Sequence, residues 1–322
     1  MDNRLTELVL TLQQLRGIGP AAIVNIVRGL SSPDDADLTT LFNTVVEMEN
    51  QGTLKRVKSF SCDELVEANR KAISIIKTSD KLGIGVISRF DSLFPMNLLD
   101  TVDEYGKPSV PVLIFYKGDL TSLSSPSLAV IGSREPSEEG KMAAKYFAAR
   151  FAENGVNIVS GLARGCDTAG HEGALEAGGT TTAVMAGGLD GIVPSENTEL
   201  AKKILDNGGM LISEYPVGVR ANRFSFVARD RLQASLANAT LVAQCGVNSG
   251  TMHAAKATLA AGKPLFVVEF KNNCSDNLSE GNRFLLSQGM TAEPITSGSF
   301  ISNKGRYINL ISKSQAAKTL LV

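Results

Sequence analysis

Tryptophan is absent from the 322 residues, and histidine occurs only at His171 and His253. A metal site built from several histidines is thereby excluded, and a histidine-based catalytic triad would have to use one of these two. Cysteine is scarce as well. Cys62, Cys166, Cys245 and Cys274 are scattered, with no C-x-x-C pair, so no zinc site or disulfide framework is supported and all four are expected as free thiols. No apolar run approaches the ~20 residues needed to cross a bilayer, so no membrane partner is expected. Met1-Asp2-Asn3-Arg4 does not lead into a signal sequence, and the expected location is the cytoplasm. An excess of one charge is also lacking. Lys and Arg number 32 against 33 Asp and Glu, so any nucleic-acid site has to be a local patch.

What is present suffices for a large core, with 43% apolar and 20% charged residues. Residues 1–80 read as helical. Leu5, Leu8, Val9, Leu12 and Leu15 make one helix face, and Arg16-Gly17-Ile18-Gly19-Pro20 breaks it. Pro20 opens a second helix and Gly29 closes it. Leu15 to Val24 fits a helix-hairpin-helix, whose amides can hold a DNA phosphate without reading sequence; degenerate copies serve as packing units. Two or three more helices follow, at roughly 37–50 and 62–78.

The pattern changes at Lys81. Short apolar runs at 112–116, 128–131, 157–160, 181–185, 210–213, 240–243 and 265–268 alternate with helices near 137–153, 167–177, 196–207, 229–237 and 250–261. Several runs are apolar on both faces, which predicts a parallel sheet covered by helices. The expected layout is a helical unit over 1–80, an α/β domain over 81–295 and a tail over 296–322. The tail carries a candidate edge strand at 306–311.

Glycine-rich loops follow four of the strands. Gly132-Ser133-Arg134 precedes a helix, where backbone N–H groups and the helix dipole favour an anion and the arginine adds a fork for a phosphodiester. Gly161-Leu162-Ala163-Arg164-Gly165 is the second loop, with Asp167 placed to cap the next helix and His171 one turn on. That pair would either orient a histidine for acid–base work or make a local structural bond. Ala186-Gly187-Gly188-Leu189-Asp190 and the loop through Ser249-Gly250-Thr251 complete the set. Loops at the carboxyl ends of parallel strands share one edge, so one phosphate-bearing ligand across that edge is expected. Tyr215 to Arg231 holds four arginines (Arg220, Arg223, Arg229, Arg231), one acid and three aromatics, Phe224 and Phe226 among them. Arginine binds phosphate and exposed rings stack on unpaired bases; the alternative is a solvated face over packed phenylalanines.

Residues 81–292 resemble the DprA/Smf DNA-processing family. The resemblance is carried by Phe94-Pro95, the run from Val112 to Gly118, Gly132-Ser133-Arg134, Ser160 to Gly165, Ala174-Leu175, Gly188-Leu189-Asp190, Pro194 to Asn197, Ser213 to Pro216, Phe226 to Arg231 and Ser249-Gly250-Thr251. It implies an extended Rossmann-like domain behind a small helical one. It also implies non-catalytic binding and protection of single-stranded DNA, a homodimer, and help in loading a RecA-type recombinase. No cofactor is implied. The residues matching the DNA site are Gly132, Ser133, Arg134, Gly161, Arg164, Gly165, Arg220, Arg223, Phe224, Phe226, Arg229, Arg231, Ser249, Gly250 and Thr251. The chain reads as a divergent member without the winged-helix C-terminal domain, with Arg229-Asp230-Arg231 where the family has Arg-Asn-Arg. Apolar segments at 265–270 and 300–311 are expected to serve dimer pairing. The alternative function is a nucleotide sensor or an enzyme cleaving N-glycosidic bonds, with Glu214 or Asp190 as the working carboxylate.

Overall fold

The computed structural model describes residues 4–54, 59–270, 277–287 and 292–319; Cys274 lies outside them. Four helices come first: α1 (Arg4–Gln14), α2 (Pro20–Gly29), α3 (Leu38–Asn50) and α4 (Cys62–Lys81). Asp37 caps α3, and a capping box between Ser61 and Glu64 starts α4. Leu8, Leu12, Ile23, Leu41 and Leu65 do not close a core of their own. They share one apolar cluster with Ile84, Val112, Phe115 and Leu211 of the α/β region. The hydroxyl of Thr6 accepts the Ser88 N–H at 3.1 Å, tying α1 to the sheet's first strand.

The nine strands are β1 (Gly85–Ser88), β2 (Leu113–Gly118), β3 (Ser127–Ile131), β4 (Asn157–Ser160), β5 (Thr181–Met185), β6 (Met210–Ser213), β7 (Ala239–Val242), β8 (Leu265–Val268) and β9 (Ala292–Ile295). They lie in the order β1-β2-β6-β5-β4-β3-β7-β8-β9. The seven strands from β6 to β9 are mutually parallel, as the doubly buried apolar runs predict. The other edge departs from an all-parallel sheet, because β2 runs antiparallel to β6 and β1 antiparallel to β2. β1 and β9 escape a reading by pattern. Each has four residues, and β9 contains Glu293 and Pro294, which only an edge strand tolerates.

Helices α5 (Glu138–Ala152), α6 (Cys166–Glu176) and α7 (Thr198–Asp206) carry the chain from β3 to β6 in one direction. Helix α8 (Arg223–Leu236) then carries it back past three strands to β7, and α9 (Thr251–Ala260) and α10 (Glu280–Ser287) continue outward. The direction of winding therefore switches between β3 and β7. The 296–322 tail contradicts the expected edge strand: Ser297–Thr319 is helical as α11, kinked at Asn303. Phe300, Tyr307 and Ile311 fall on one helix face and are buried, and this helical spacing wins over the short apolar run at 307–311. Phe300 packs edge-on against Phe151 at 4.9 Å and Tyr307 against Phe266 at 5.3 Å. Of the segments expected to pair two copies, 265–268 and the Phe300, Tyr307 and Ile311 side chains are buried in this chain's own core, while 301–306 is exposed.

Helices α5 and α6 meet at Gly173, where a Cβ would sit 2.2 Å from the Lys145 carbonyl oxygen. Gly173→Ala is expected to force the pair apart and cost on the order of 1–3 kcal/mol. Chemical denaturation should show a lower midpoint with an unchanged slope.

Candidate nucleic-acid interface

The ends of β5, β4, β3 and β7 stand side by side, so all four glycine loops open onto one edge. A cavity of about 480 Å³ lies at the switch point between β3 and β7. One wall is Gly132-Ser133-Arg134 after β3, another is Ser249-Gly250-Thr251 at the start of α9, and the third is the first two turns of α8. Gly250 caps α9 without any side-chain bond; Met252 and His253 donate their N–H groups to the Ser249 and Gly250 carbonyls, so the Gly250 and Thr251 amides are those left for an incoming acceptor. The α8 N-terminus is set by Asn222, whose side chain accepts the Phe224 and Ser225 N–H groups while Ser225 returns a bond to the Asn222 N–H. This box holds Arg223 and Phe226 over the strand ends. Helix α8 begins six residues earlier than the sequence pattern places it, because this polar cap hides the start of the apolar period.

Arg134 is exposed, and its guanidinium sits 4.9 Å from the centre of the Phe226 ring. Arg223, also exposed, lies 4.6 Å from the centre of the Phe224 ring. Among the described residues neither arginine forms an ion pair with a carboxylate. The cavity floor is charged differently. Arg229 is 5% exposed, with its Nη1 at 3.5 Å from Asp167 Oδ2 and 3.4 Å from the Val184 carbonyl, and its Nε at 3.1 Å from Asp230 Oδ1. Burial pushes both carboxyls upward and Arg229 opposes this; for Asp230 the result is about 6.

Two loop glycines are required by close approach. A Cβ on Gly161 would lie 1.2 Å from Arg229 Nη1, and one on Gly132 would meet Cys166 Sγ at 2.5 Å. Gly165 has φ of +75° and packs against the Ser133 and Arg134 carbonyls, supporting the Arg134 loop from behind.

Of the sequence-derived candidates, Gly132, Ser133, Arg134, Arg223, Phe226, Arg229, Ser249, Gly250 and Thr251 line this cavity. Arg229 does so as a buried, paired cation, not as an exposed phosphate ligand. Gly161 and Arg220 line a neighbouring hollow of about 600 Å³ that shares Phe226. Phe224 is 71% exposed and faces another depression beside Tyr105 and His253. Arg231 does not face the groove. Its fork holds both Glu214 oxygens at 2.7 and 2.8 Å, and its Nε donates to Ser109 Oγ, beside α2. Arg164 is engaged by Glu196 at the surface, outside the cavity.

The residues weighed for chemistry have structural partners. Asp167 is not the cap of α6, which is Gly165; it lies in the first turn. His171 does not pair with Asp167. It is buried, and its Nδ1 is 2.7 Å from Thr181 Oγ1. Glu214 is held by Arg231, and Asp190 Oδ1 accepts the Gly218 N–H at 2.9 Å. Burial pushes the Cys166 and Cys245 thiols up to about 12, far from a reactive thiolate. Val227 and Gln233, outside the sequence-derived candidates, also line the site, as does Asp230, which the sequence marks only as a departure from the family's Arg-Asn-Arg. Their positions follow from the helical spacing of Arg223, Phe226, Asp230 and Gln233, legible only once α8 is started at 223.

Fold and loops together define the chain as a doubly wound α/β protein with a glycine-lined cavity at its switch point. The profile of the family described as DNA recombination-mediator protein A matches residues 85–305, and the chain belongs to that family. It is 36% identical over 211 residues to DNA processing protein DprA of Streptococcus pneumoniae, covering 66% of this chain and 71% of the relative. It is 35% identical over 203 residues to Protein Smf of Escherichia coli, covering 62% of this chain and 52% of that one. The X-ray structure of the S. pneumoniae DprA superposes with a TM-score of 0.70 at 27% identity, covering 94% of this chain and 97% of the other. The Helicobacter pylori DNA processing protein A, described in terms of its single-stranded DNA binding mode, superposes at 0.58 with 29% identity, over 71% and 96%. No described helix is long and apolar enough to cross a membrane.

Burial pulls His171 down to about 3, from the 6.5 of a free imidazole. The folded chain then holds it neutral while the unfolded chain protonates it. Its contribution is present above pH 6.5 and fades as pH falls, by about 1.4 kcal/mol per unit at the steepest. Stability measured from pH 7 to 4 should show this loss, and His171→Gln should lack that component.

Proposed function

We propose that the groove binds single-stranded DNA without chemical turnover, with phosphates at the β3–α5 loop and the α9 N-terminus and a base on Phe226. The observation that carries this reading is the Arg134–Phe226 stack at the switch point. A cation and a ring presented together suit a strand whose phosphates and unpaired bases alternate. Glu214 is held by Arg231, and Asp190, in the neighbouring hollow, is held by the Gly218 N–H, which speaks against the nucleotide-cleaving alternative. The proposal includes protection of the bound strand, a homodimer, and delivery to a RecA-type recombinase, as the DprA/Smf resemblance implies. It takes Gly132, Ser133, Arg134, Arg223, Phe226, Ser249, Gly250 and Thr251 as first contacts. Gly161 and Arg220 carry the next nucleotide, and Phe224 receives the strand beyond Arg223.

Titration with a labelled oligonucleotide at several salt concentrations tests it. Arg134→Ala should weaken binding by roughly 1.5–3 kcal/mol and shallow the salt slope by about one ion. Phe226→Ala should cost about 1–3 kcal/mol at every salt with the slope kept. Because the two side chains touch, the double variant should lose less than the two single losses together. No binding at low salt, or unchanged affinity in both folded variants, would reject the groove.

A further inference from the structure

We propose that Asp230 makes this groove selective for the singly charged internal phosphodiesters of a strand, against doubly charged terminal phosphates and free nucleotides. The proposal rests on the single-strand reading above and concerns the same cavity.

The cavity lining carries three arginines, Arg134, Arg223 and Arg229, against two aspartates, Asp167 and Asp230. With both acids ionised, one positive charge is left over. Arg229 is taken up by the two carboxylates it is buried between, so the surplus is carried by the exposed Arg134 and Arg223. A phosphodiester brings one negative charge and neutralises the surplus. A phosphate monoester brings about −1.5 to −2 at pH 7. That leaves the lined cavity net negative, and uncompensated charge in a partly enclosed site is costly.

Asp230 is where the second charge is refused. A Cβ added to Gly250 would lie 3.5 Å from Asp230 Oδ2, which places the carboxylate beside the α9 N-terminus. The positive end of that helix is partly offset here by a fixed acid, so it suits one negative charge and not two. Arg229 approaches from its own helix, Asp167 from α6, Arg134 from the β3–α5 loop and His253 from α9. Gln233, with its amide turned to donate, gives Asp230 Oδ1 a hydrogen bond at 3.2 Å and accepts the Gly161 N–H at 2.8 Å. The acid is therefore held in place and cannot swing out to admit a dianion. The raised carboxyl, at about 6, is ionised at pH 8.

The test is competition at pH 8 and low salt, with a fluorescent oligothymidylate lacking terminal phosphates as the probe. Thymidine 5′-monophosphate and its methyl phosphodiester differ by one charge and one methyl group. The methyl ester should compete on the order of tenfold better against the wild-type protein. Asp230→Asn, whose side-chain oxygen can still face Arg229 Nε, should narrow that preference to roughly twofold. Equal competition by the two nucleotides in the wild-type protein would overturn the proposal, whether or not the variant folds. So would an unchanged preference in an Asp230→Asn protein whose melting transition is intact. A wild-type protein that fails to bind the probe at all would instead reject the single-strand reading, and this selectivity with it.

Discussion

One buried guanidinium organises the ligand edge. Arg229 leaves α8, passes under Gly161 and reaches Asp167 on α6 and the end of β5 at Val184. Removing the Asp167 carboxylate would leave that buried charge short of a partner, which is far more costly than the net worth of the pair. The clamp sets the height of α8 over the strand ends and explains why position 161 admits no side chain. Once α8 is held there, its cap at Asn222 lifts Arg223 and Phe226 to the rim, and Arg134 meets Phe226 from the opposite loop. The exposed cations that can meet a phosphate are held in position by a cation that cannot.

The parallel centre of the sheet was legible because its strands are buried on both faces. Runs such as Thr181–Met185 and Leu265–Val268 need no alternation to be recognised, and their ends fall where the apolar residues stop. The four glycine loops were legible for a related reason, since each follows such a run. What escaped had weak local signals. β9 includes a proline and an acid, and the start of α8 is polar and aromatic. Residues 307–311 have strand-like composition but take their helix from contacts with Phe151 and Phe266, distant in sequence. The roles of Arg229 and Arg231 escaped because their partners, Asp167 and Glu214, are brought to them only by the fold. Composition marks an arginine as a phosphate ligand until a carboxylate is seen on it.

The first four helices also carry more than a sequence motif shows. The helix-hairpin-helix pattern places Leu15 and Ile18 in the core, and the cavity-facing side of α2 looks onto Pro108 to Leu113 and the Arg231–Glu214 pair. The loop after β6 is thus framed by the helical region on one side and by α8 on the other. A shift of α2 would be felt at Glu214, two residues before Pro216 and within the connection that leads to Arg223.

The return of α8 past three strands has a consequence for how the molecule is made. β3 pairs with β4, which follows closely in the chain, but its other neighbour is β7. The Ser127 N–H and hydroxyl at the base of β3 are bonded by Asn238, 111 residues later. On the ribosome, the middle one of the seven parallel strands therefore keeps an open, largely apolar edge until more than a third of the chain has followed it out. Pairing of this range is slow, and unpaired strand edges invite other chains. Assembly of the switch point closes that edge and builds the groove in the same event, so a chain that has finished hiding its centre has also finished its binding site.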